Sequence, residues 1–252
     1  MTRNKSMVVA MADFKAAMAL RFVKFGLIGL GALGPIMAVF TVVSVVLLMP
    51  PGPELDLIIR FLAPMVATFL AIFAIIPASM ISANSFVGEK EQNTLEPLLA
   101  TPLTDRELLV GKILSSLIPS GILLFGGTAA SILAENVILM AFGRPFILLP
   151  DVPGIIFVSL AGPPMILAVV SFMILISGRV GRVYEAYQMS MLVAIVIIAP
   201  MIVPSLFIEA GLDQSVVMMT YIATILIAVV LMVVTMALAV RRFNRDTMIR
   251  TV

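Results

Sequence analysis

The sequence predicts an all-α integral membrane protein with six transmembrane helices and an N-terminal interfacial amphipathic helix. Three observations predict this fold: a composition that is 62% hydrophobic and only 12% charged, six long uncharged stretches, and an uneven distribution of Lys and Arg between the connecting segments. Soluble domains carry about 25% charged residues, so this chain has too little polar surface to face water. Cys and His are absent, which removes thiolate ligands and the commonest general base.

The six uncharged stretches are long enough to cross a membrane. Each has at least 21 residues without Asp, Glu, Lys or Arg, and about 20 residues cross a bilayer core. Runs of this length predict helices, because the strands of membrane barrels are shorter and alternate in polarity. The predicted spans are Phe25–Met49, Phe61–Ala83, Ile113–Ala134, Pro153–Ser177, Gln188–Ile208 and Val216–Val240. No ionisable residue falls inside them, so no proton or ion relay within the membrane is expected.

The distribution of Lys and Arg predicts the orientation. Of the 16 Lys and Arg residues, 14 lie in residues 1–24, 84–112, 178–187 and 241–252, and the remaining two are Arg60 and Arg144. This bias places the first set of segments, with both termini, in the cytoplasm. The expected organisation is a cytoplasmic interfacial helix at 1–24, a transmembrane domain at 25–240 with a cytoplasmic loop at 84–112, and a basic cytoplasmic tail at 241–252.

An apolar stripe runs along the N-terminal segment at steps of three or four residues. Its members are Met7, Met11, Phe14, Met18, Phe22 and Phe25. Such a stripe favours a helix that lies on the inner leaflet. A cytoplasmic extension of the first span is the alternative.

Small residues recur at four-residue steps in the third span. Gly126, Ala130 and Ala134 form this ladder. A ladder of small residues lets two helices approach closely in lipid, so we expect it to pack inside the bundle.

One segment interrupts the apolar pattern with eight charges in 25 residues: GEKEQNTLEPLLATPLTDRELLVGK, Gly88–Lys112. Each charge costs about 2.5–3.5 kcal/mol to insert at a membrane centre, so the segment lies outside the membrane. Thr104 stands three residues before Glu107 and predicts a capping box that starts a helix running into the third span. The leucines among the charges favour either a partner-binding tip or a connecting loop that packs on its own helices.

This segment resembles the cytoplasmic signature of the type-2 ABC exporter permeases. The resemblance falls on Glu89-Lys90-Glu91, Thr94-Leu95-Glu96, Leu98-Leu99, Thr101-Pro102-Leu103 and Gly111-Lys112. Asn93 departs from the Gly that is usual in the family. A weaker resemblance is SGRVGRVYEAYQ, Ser177–Gln188, between the fourth and fifth spans. Together these likenesses imply the type-2 ABC exporter permease fold for nearly the whole chain.

The resemblance implies the permease subunit of an ATP-driven exporter, which is not itself catalytic. Two permease units, identical or homologous, would pair with two ABC ATP-binding subunits that bind ATP and Mg. This chain has no Gly-x-x-x-x-Gly-Lys-Ser/Thr phosphate loop, so no cofactor is expected on it. A prokaryotic plasma membrane is the expected location.

The resemblance also implies where the ATP-binding subunit makes contact. The residues of this coupling contact would be Glu89, Lys90, Glu91, Thr94, Leu95, Glu96, Leu98, Leu99, Thr101, Pro102, Leu103, Thr104 and Asp105, with Arg182 and Glu185 in a secondary cytoplasmic loop. Pro200 and Pro204 interrupt the fifth span. The re-entrant helices of the family would make this region an outer gate, and a kinked helix is the alternative.

Other function classes remain as alternatives. A secondary transporter would couple through buried acids or ion sites at broken helices. A non-transporting membrane anchor for an ATPase is a second alternative. A membrane enzyme is disfavoured, because no His or Cys is present and the carboxylates fall between the predicted spans. The hydroxyl groups of the spans, such as Thr41 and Ser115, fit an apolar or amphipathic substrate better than a free cation.

Overall fold

The computed structural model describes residues 5–91, 103–177, 179–199, 202–203, 206 and 214–242, and all regular secondary structure in these ranges is helical. The α-helices are α1 Lys5–Ala19, α2 Arg21–Leu48, α3 Pro53–Ala83, α4 Asp105–Ala141, α5 Val152–Ser177, α6 Val183–Ala194 and α7 Gln214–Arg242. A π-helical turn at Asn84–Gly88 and a short helical turn at Glu89–Glu91 continue α3, and a 3-10 turn at Ile195–Ile198 follows α6.

Five helical segments are long and apolar enough to cross a membrane. They are Arg21–Leu48, Pro53–Glu91, Asp105–Ala141, Val152–Ser177 and Gln214–Arg241. These segments contain or overlap the first, second, third, fourth and sixth predicted spans. The predicted fifth span begins inside α6, but part of it, including Pro200 and Pro204, lies outside the described residues. A sixth span therefore stays a prediction.

Two of these segments are longer than a membrane crossing requires. The helical segment Pro53–Glu91 has 39 residues and α4 has 37. At 1.5 Å per residue, 37 residues extend about 56 Å, whereas the hydrocarbon core of a bilayer is about 30 Å thick. Both helices therefore extend beyond the membrane, and residues 92–102 connect their ends.

Helix α1 is separate from α2, because Leu20 between them has an extended backbone with φ −78° and ψ 119°. Its buried residues are Ser6, Val9, Ala10 and Ala17, and this face packs against α4. Met7 and Met11 are about half exposed and line an open apolar groove between α1 and α4. Phe22 and Phe25 belong to α2 and are also exposed. The position of α1 at the membrane interface stays a prediction.

Helix α3 lies at the centre of the bundle. In the most apolar 18-residue stretch of the Pro53–Glu91 segment, 67% is buried inside the protein. The corresponding stretches of α2 and α7 are only 28% and 22% buried. Close approach between α2 and α3 depends on Gly34, where a Cβ atom would lie 2.8 Å from Phe73 Cβ and 3.2 Å from the Phe69 carbonyl oxygen.

The prediction that the small-residue ladder packs inside the bundle is wrong. Gly126, Ala130 and Ala134 are all exposed. The neighbouring face of α4 is the one that approaches α2: a Cβ atom on Gly127 would lie 2.9 Å from Pro35 Cγ. Because only that adjacent face is covered, the ladder remains open along the outer half of α4.

The contact at Gly34 predicts a difference between two glycines of the same helix. We expect Gly34→Ala to lower the free energy of unfolding by about 1–3 kcal/mol. The added methyl would clash with Phe73 Cβ and the Phe69 carbonyl oxygen, and these atoms can move only if the backbone of α3 moves with them. A Cβ atom on Gly29 would have no neighbouring atom within 4 Å, so Gly29→Ala is the matched control and should be neutral or stabilising through helix propensity. Thermal unfolding of the purified variants in one detergent measures both effects, and equal shifts for the two variants would contradict the packing at Gly34.

Candidate functional site

A buried lysine joins three helices at the end of the bundle that the charge bias assigns to the cytoplasm. The Lys112 side chain, in the second turn of α4, is only 3% exposed. Its Nζ atom lies 2.7 Å from Glu89 Oε1 and 3.5 Å from Asp13 Oδ2. It also donates a 2.5 Å hydrogen bond to the Ser85 carbonyl oxygen. We refer to Asp13, Ser85, Glu89 and Lys112 as the Lys112 clamp.

The clamp gives the buried ammonium group the partners that it needs. An ammonium has three N–H donors, and Glu89, Asp13 and the Ser85 carbonyl provide three acceptors. The Ser85 hydroxyl donates to Asp13 Oδ2 at 2.6 Å, and the Phe86 ring centroid lies 5.4 Å from Nζ. A buried charge is tolerated when it is paired and hydrogen-bonded, so these contacts explain how Lys112 is accommodated.

Local backbone structure brings the members of the clamp together. The π-helical turn Asn84–Gly88 contains Ser85 and leads directly into Glu89, and such turns shift the side-chain register of a helix. On the other side, a Cβ atom at Gly111 would lie 2.6 Å from Val9 Cβ and 2.9 Å from the Ser6 carbonyl oxygen. Helix α1 therefore lies directly on α4 beside Lys112, and Asp13, one turn after Val9, reaches the ammonium.

The third residue of the acidic-basic-acidic triplet contacts the start of α6. Glu91 Oε2 accepts a 3.1 Å hydrogen bond from the backbone N–H of Val183, the first residue of α6. Glu91, Arg182, Tyr184 and Tyr187 help to line a cleft of about 270 Å³. The two motifs that carry the family resemblance are thus neighbours in space, although 64 residues separate them in the sequence.

The predicted capping box at the start of α4 is confirmed. The Thr104 backbone N–H donates to Glu107 Oε2 at 2.8 Å, and the Glu107 backbone N–H donates to Thr104 Oγ1 at 3.2 Å. Helix α4 then continues without interruption to Ala141. Lys5 Nζ lies 3.9 Å from Glu107 Oε1, which adds a contact between the starts of α1 and α4.

The residues predicted to contact a partner fall into three groups. Glu89 is partly buried in the clamp, whereas Glu91, Thr104 and Asp105 are exposed, and so are Arg182 and Glu185 in the second loop. Lys90 and Leu103 are half-buried. The predicted contacts that lie outside the described residues are Thr94, Leu95, Glu96, Leu98, Leu99, Thr101 and Pro102, and their role stays a prediction.

The patterns in the sequence did not predict the clamp. Lys112 belongs to the family signature, and Asp13 lies opposite an apolar stripe, but neither pattern connects the two residues. One signal was present: Asp13 is the only acid in residues 1–24, and Lys112 directly precedes 22 uncharged residues. A lone acid and a lone base, each beside an apolar helix, favour mutual pairing, but their separation in sequence conceals it.

A second buried ionisable residue lies next to the end of the third predicted span. Glu135, placed just outside the third span by the charge rule, lies within α4 and is fully buried. Neither carboxylate oxygen has a well-formed hydrogen bond among the described residues, although the Leu149 backbone N–H lies nearby. Asp151 directly precedes α5, and its Oδ1 atom accepts a 2.9 Å hydrogen bond from the Gly154 backbone N–H. Burial raises the pKa of the Asp151 carboxyl, and that hydrogen bond opposes the shift.

Comparison with known proteins identifies a family. The model of the family described as ABC-2 family transporter protein matches residues 3–220. No curated protein matches the chain. The matched range contains the Lys112 clamp, the segment 92–102 and the loop between α5 and α6.

The clamp predicts that Lys112 is essential for stability. Lys112→Met removes the ammonium but leaves the Asp13 and Glu89 carboxylates together, and we expect the free energy of unfolding to fall by about 3–5 kcal/mol. The double variant Lys112→Met/Glu89→Gln should recover part of this loss, because it removes one of the two unpaired acids. Thermal unfolding in detergent measures both changes.

The matched control is Lys15→Met on the exposed face of α1. A surface substitution of this kind changes stability by less than about 0.5 kcal/mol. If Lys112→Met is no more destabilising than Lys15→Met, the ion pairs of the clamp do not hold these helices together.

Proposed function

The chain belongs to the ABC-2 transporter family, and we propose that it is the permease subunit of an ATP-driven exporter that couples to a separate ATP-binding subunit through the segment 84–112. Members of this family are membrane transport components of ABC transporters rather than their catalytic subunits. Our proposal adds the direction of transport, the coupling segment and the assembly of two permeases with two ATP-binding subunits. The ATP-binding subunits would supply the ATP and Mg sites.

The observation that carries the proposal is the way in which the Lys112 clamp closes the base of the coupling segment. Glu89, just before the segment 92–102, and Lys112, shortly after it, form a 2.7 Å ion pair. The two long helices that enter and leave this segment are therefore joined at their cytoplasmic ends. A force applied to residues 92–102 would move α3 and α4 together instead of separating them, as a rigid-body transition requires.

The start of α4 supports the same interpretation. The capping box fixes the helix from Asp105 onward, so few residues separate the proposed contact surface from the first rigid turn. A capping interaction contributes about 1 kcal/mol to helix stability. Displacement of the segment would accordingly reach the membrane-spanning part of α4 without loss in a flexible linker.

The contacts of Asp13 and Glu91 extend the proposed coupling to two other elements. Asp13 connects the clamp to α1, and Glu91 connects the end of α3 to α6 through the Val183 N–H. Movement of the coupling segment would thus affect α1 and α6 as well as α3 and α4. Arg182 and Glu185 are exposed beside this contact, which suits a secondary contact with the same ATP-binding subunit.

One observation favours a second candidate function, that of a secondary transporter. The fully buried Glu135 lies within a candidate span, and such residues commonly mark proton or ion pathways. Transport in sealed vesicles distinguishes the two candidates: the exporter requires ATP and the ATP-binding subunit, whereas the secondary transporter requires an ion gradient.

Charge reversal in the coupling segment predicts a loss of partner binding. We expect Glu91→Lys/Glu96→Lys to insert into the membrane but to bind the ATP-binding subunit at least about tenfold more weakly, a change of about 1.4 kcal/mol. The reason is that two carboxylates of the proposed contact surface become cations. Copurification of the ATP-binding subunit from native membranes with the tagged chain measures the association.

The chain offers a matched control on the opposite side of the membrane. Glu54→Lys/Asp56→Lys reverses two acids in the first turn of α3, which the charge bias places outside the cell. The single variant Glu96→Lys separates partner binding from the contact between Glu91 and Val183. Full copurification and full ATP-dependent transport by both coupling-segment variants would place the coupling contact elsewhere.

The proposed outer gate at Pro200 and Pro204 predicts a pattern of solvent access. In this chain, which has no native cysteine, single cysteines introduced from residue 200 to 214 should react with a membrane-impermeant thiol reagent added from outside. Reactivity is expected because re-entrant segments border an aqueous cavity. Protection of every position through Leu206 would instead indicate a simple membrane-spanning helix.

A further inference from the structure

An apolar slot lies between α2 and α4 in the half of the bundle that faces away from the clamp. Its volume is about 530 Å³. The residues that define it are Pro35, Phe40 and Ser44 on α2 and Ala130, Ala134 and Ile138 on α4. Since both helices are candidate spans, the slot lies at the depth of lipid acyl chains, and the Lys and Arg bias places it in the outer leaflet.

The slot lies between two contacts, one between α2 and α4 and the other between the segment that follows α4 and the end of α2. At the inner end, a Cβ atom on Gly127 would lie 2.9 Å from Pro35 Cγ. At the outer end, Arg144 Nη2 donates to the carbonyl oxygens of Leu47 at 3.4 Å and Met49 at 3.0 Å. Pro35 and Leu47 are 12 positions apart, so these two contacts are about 18 Å apart along α2 at 1.5 Å per residue.

The lining of the slot suits a hydrocarbon chain. Its two hydroxyl groups are occupied by their own helices: Ser44 Oγ donates to the Thr41 carbonyl oxygen at 3.1 Å, and Ser131 Oγ donates to the Thr128 carbonyl oxygen at 2.9 Å. A polar ligand would therefore lose hydrogen bonds to water and gain none here.

Arg144 supplies a positive charge at the outer end of the slot. It is one of only two Lys or Arg residues in the predicted outer segments, and no carboxylate forms a salt bridge with it among the described residues. Both of its hydrogen bonds to the described residues use Nη2, which leaves Nε and Nη1 as donors for a ligand. An arginine that presents several N–H groups in a plane is well suited to a phosphate group.

We propose that this slot and Arg144 form a binding site for an anionic phospholipid of the outer leaflet. One acyl chain occupies the slot between α2 and α4, and the lipid phosphate contacts the Arg144 guanidinium. The open small-residue ladder is part of this site, because Ala130 and Ala134 leave the space that the acyl chain fills. The site lies at the opposite end of α4 from the clamp and does not depend on the proposed coupling to an ATP-binding subunit.

Photochemical labelling tests the proposal. The full chain is reconstituted in phosphatidylcholine vesicles that contain a trace of phosphatidylglycerol with a photoreactive group on one acyl chain, and labelled peptides are identified by mass spectrometry. We expect labels on residues 35–44 and 130–138, and at least severalfold less labelling there by a phosphatidylcholine probe with the same acyl chain.

Variants of the two parts of the site sharpen the test. Arg144→Gln should reduce labelling by phosphatidylglycerol about fivefold, the contribution of one cation near a membrane surface, and Arg144→Lys should retain most of it. Ala134→Leu fills the slot and should abolish labelling at these residues. The matched controls are Arg60→Gln, the other outer cation, and Ala129→Leu, an exposed residue of α4 that does not line the slot. Both should label like the unmodified chain.

Two results would overturn the proposal. The first is equal labelling by the two probes, or labelling that Ala134→Leu leaves unchanged although the variant unfolds at the temperature of the unmodified chain. The second is efficient disulfide formation between two copies of the Ala134→Cys variant, since this chain has no other cysteine. That result would show that a helix of a second copy covers this face.

Discussion

The burial of a single ammonium group constrains the end of this protein at which α1, α4 and the turns that continue α3 meet. An unpaired buried charge loses its hydration without compensation, so the structure must bring acceptors to Lys112 or exclude it from the interior. The acceptors come from α1 and from the two turns that continue α3, and both regions are distant in sequence from each other. Because the charge is satisfied only when all of them are in place, the same interaction that stabilises this end also fixes the relative positions of the helices.

The Lys112 clamp changes the interpretation of the charged stretch between α3 and α4. Its charges do not all face a partner, since Glu89 and Lys112 bind each other, Glu91 binds the start of α6, and Glu107 caps its own helix. These residues build a rigid base, and we propose that Glu96 and the leucines of residues 92–102 make a contact outside the chain. Membership of the ABC-2 transporter family gives that contact a natural candidate in an ATP-binding subunit.

Patterns within a single helix predicted much of this structure, and interactions between distant helices explain what was missed. Long uncharged runs predicted α2, α3, α4, α5 and α7, and the spacing of Thr104 and Glu107 predicted the start of α4, because these signals are local. The pairing of Asp13 with Lys112 spans 99 residues, and no local pattern encodes it. No local pattern shows that the charged Glu135 is buried either, because the surrounding protein, instead of water, encloses its side chain. The prediction that Gly126, Ala130 and Ala134 are buried was wrong, because residue spacing shows only that one face of the helix carries small side chains. The spacing does not show which neighbouring helix covers that face.

The central claim is that the Lys112 clamp keeps the base of the coupling segment rigid while an ATP-binding subunit moves its tip. Cryo-electron microscopy of the complete complex, without nucleotide and with bound ATP, tests this claim most directly. The account predicts that residues 92–102 contact the ATP-binding subunit in both states and that Lys112 Nζ stays within 4 Å of a Glu89 carboxylate oxygen while α3 and α4 move together. Separation of Lys112 from Glu89 in either state, or a coupling segment that contacts no other polypeptide, would contradict it.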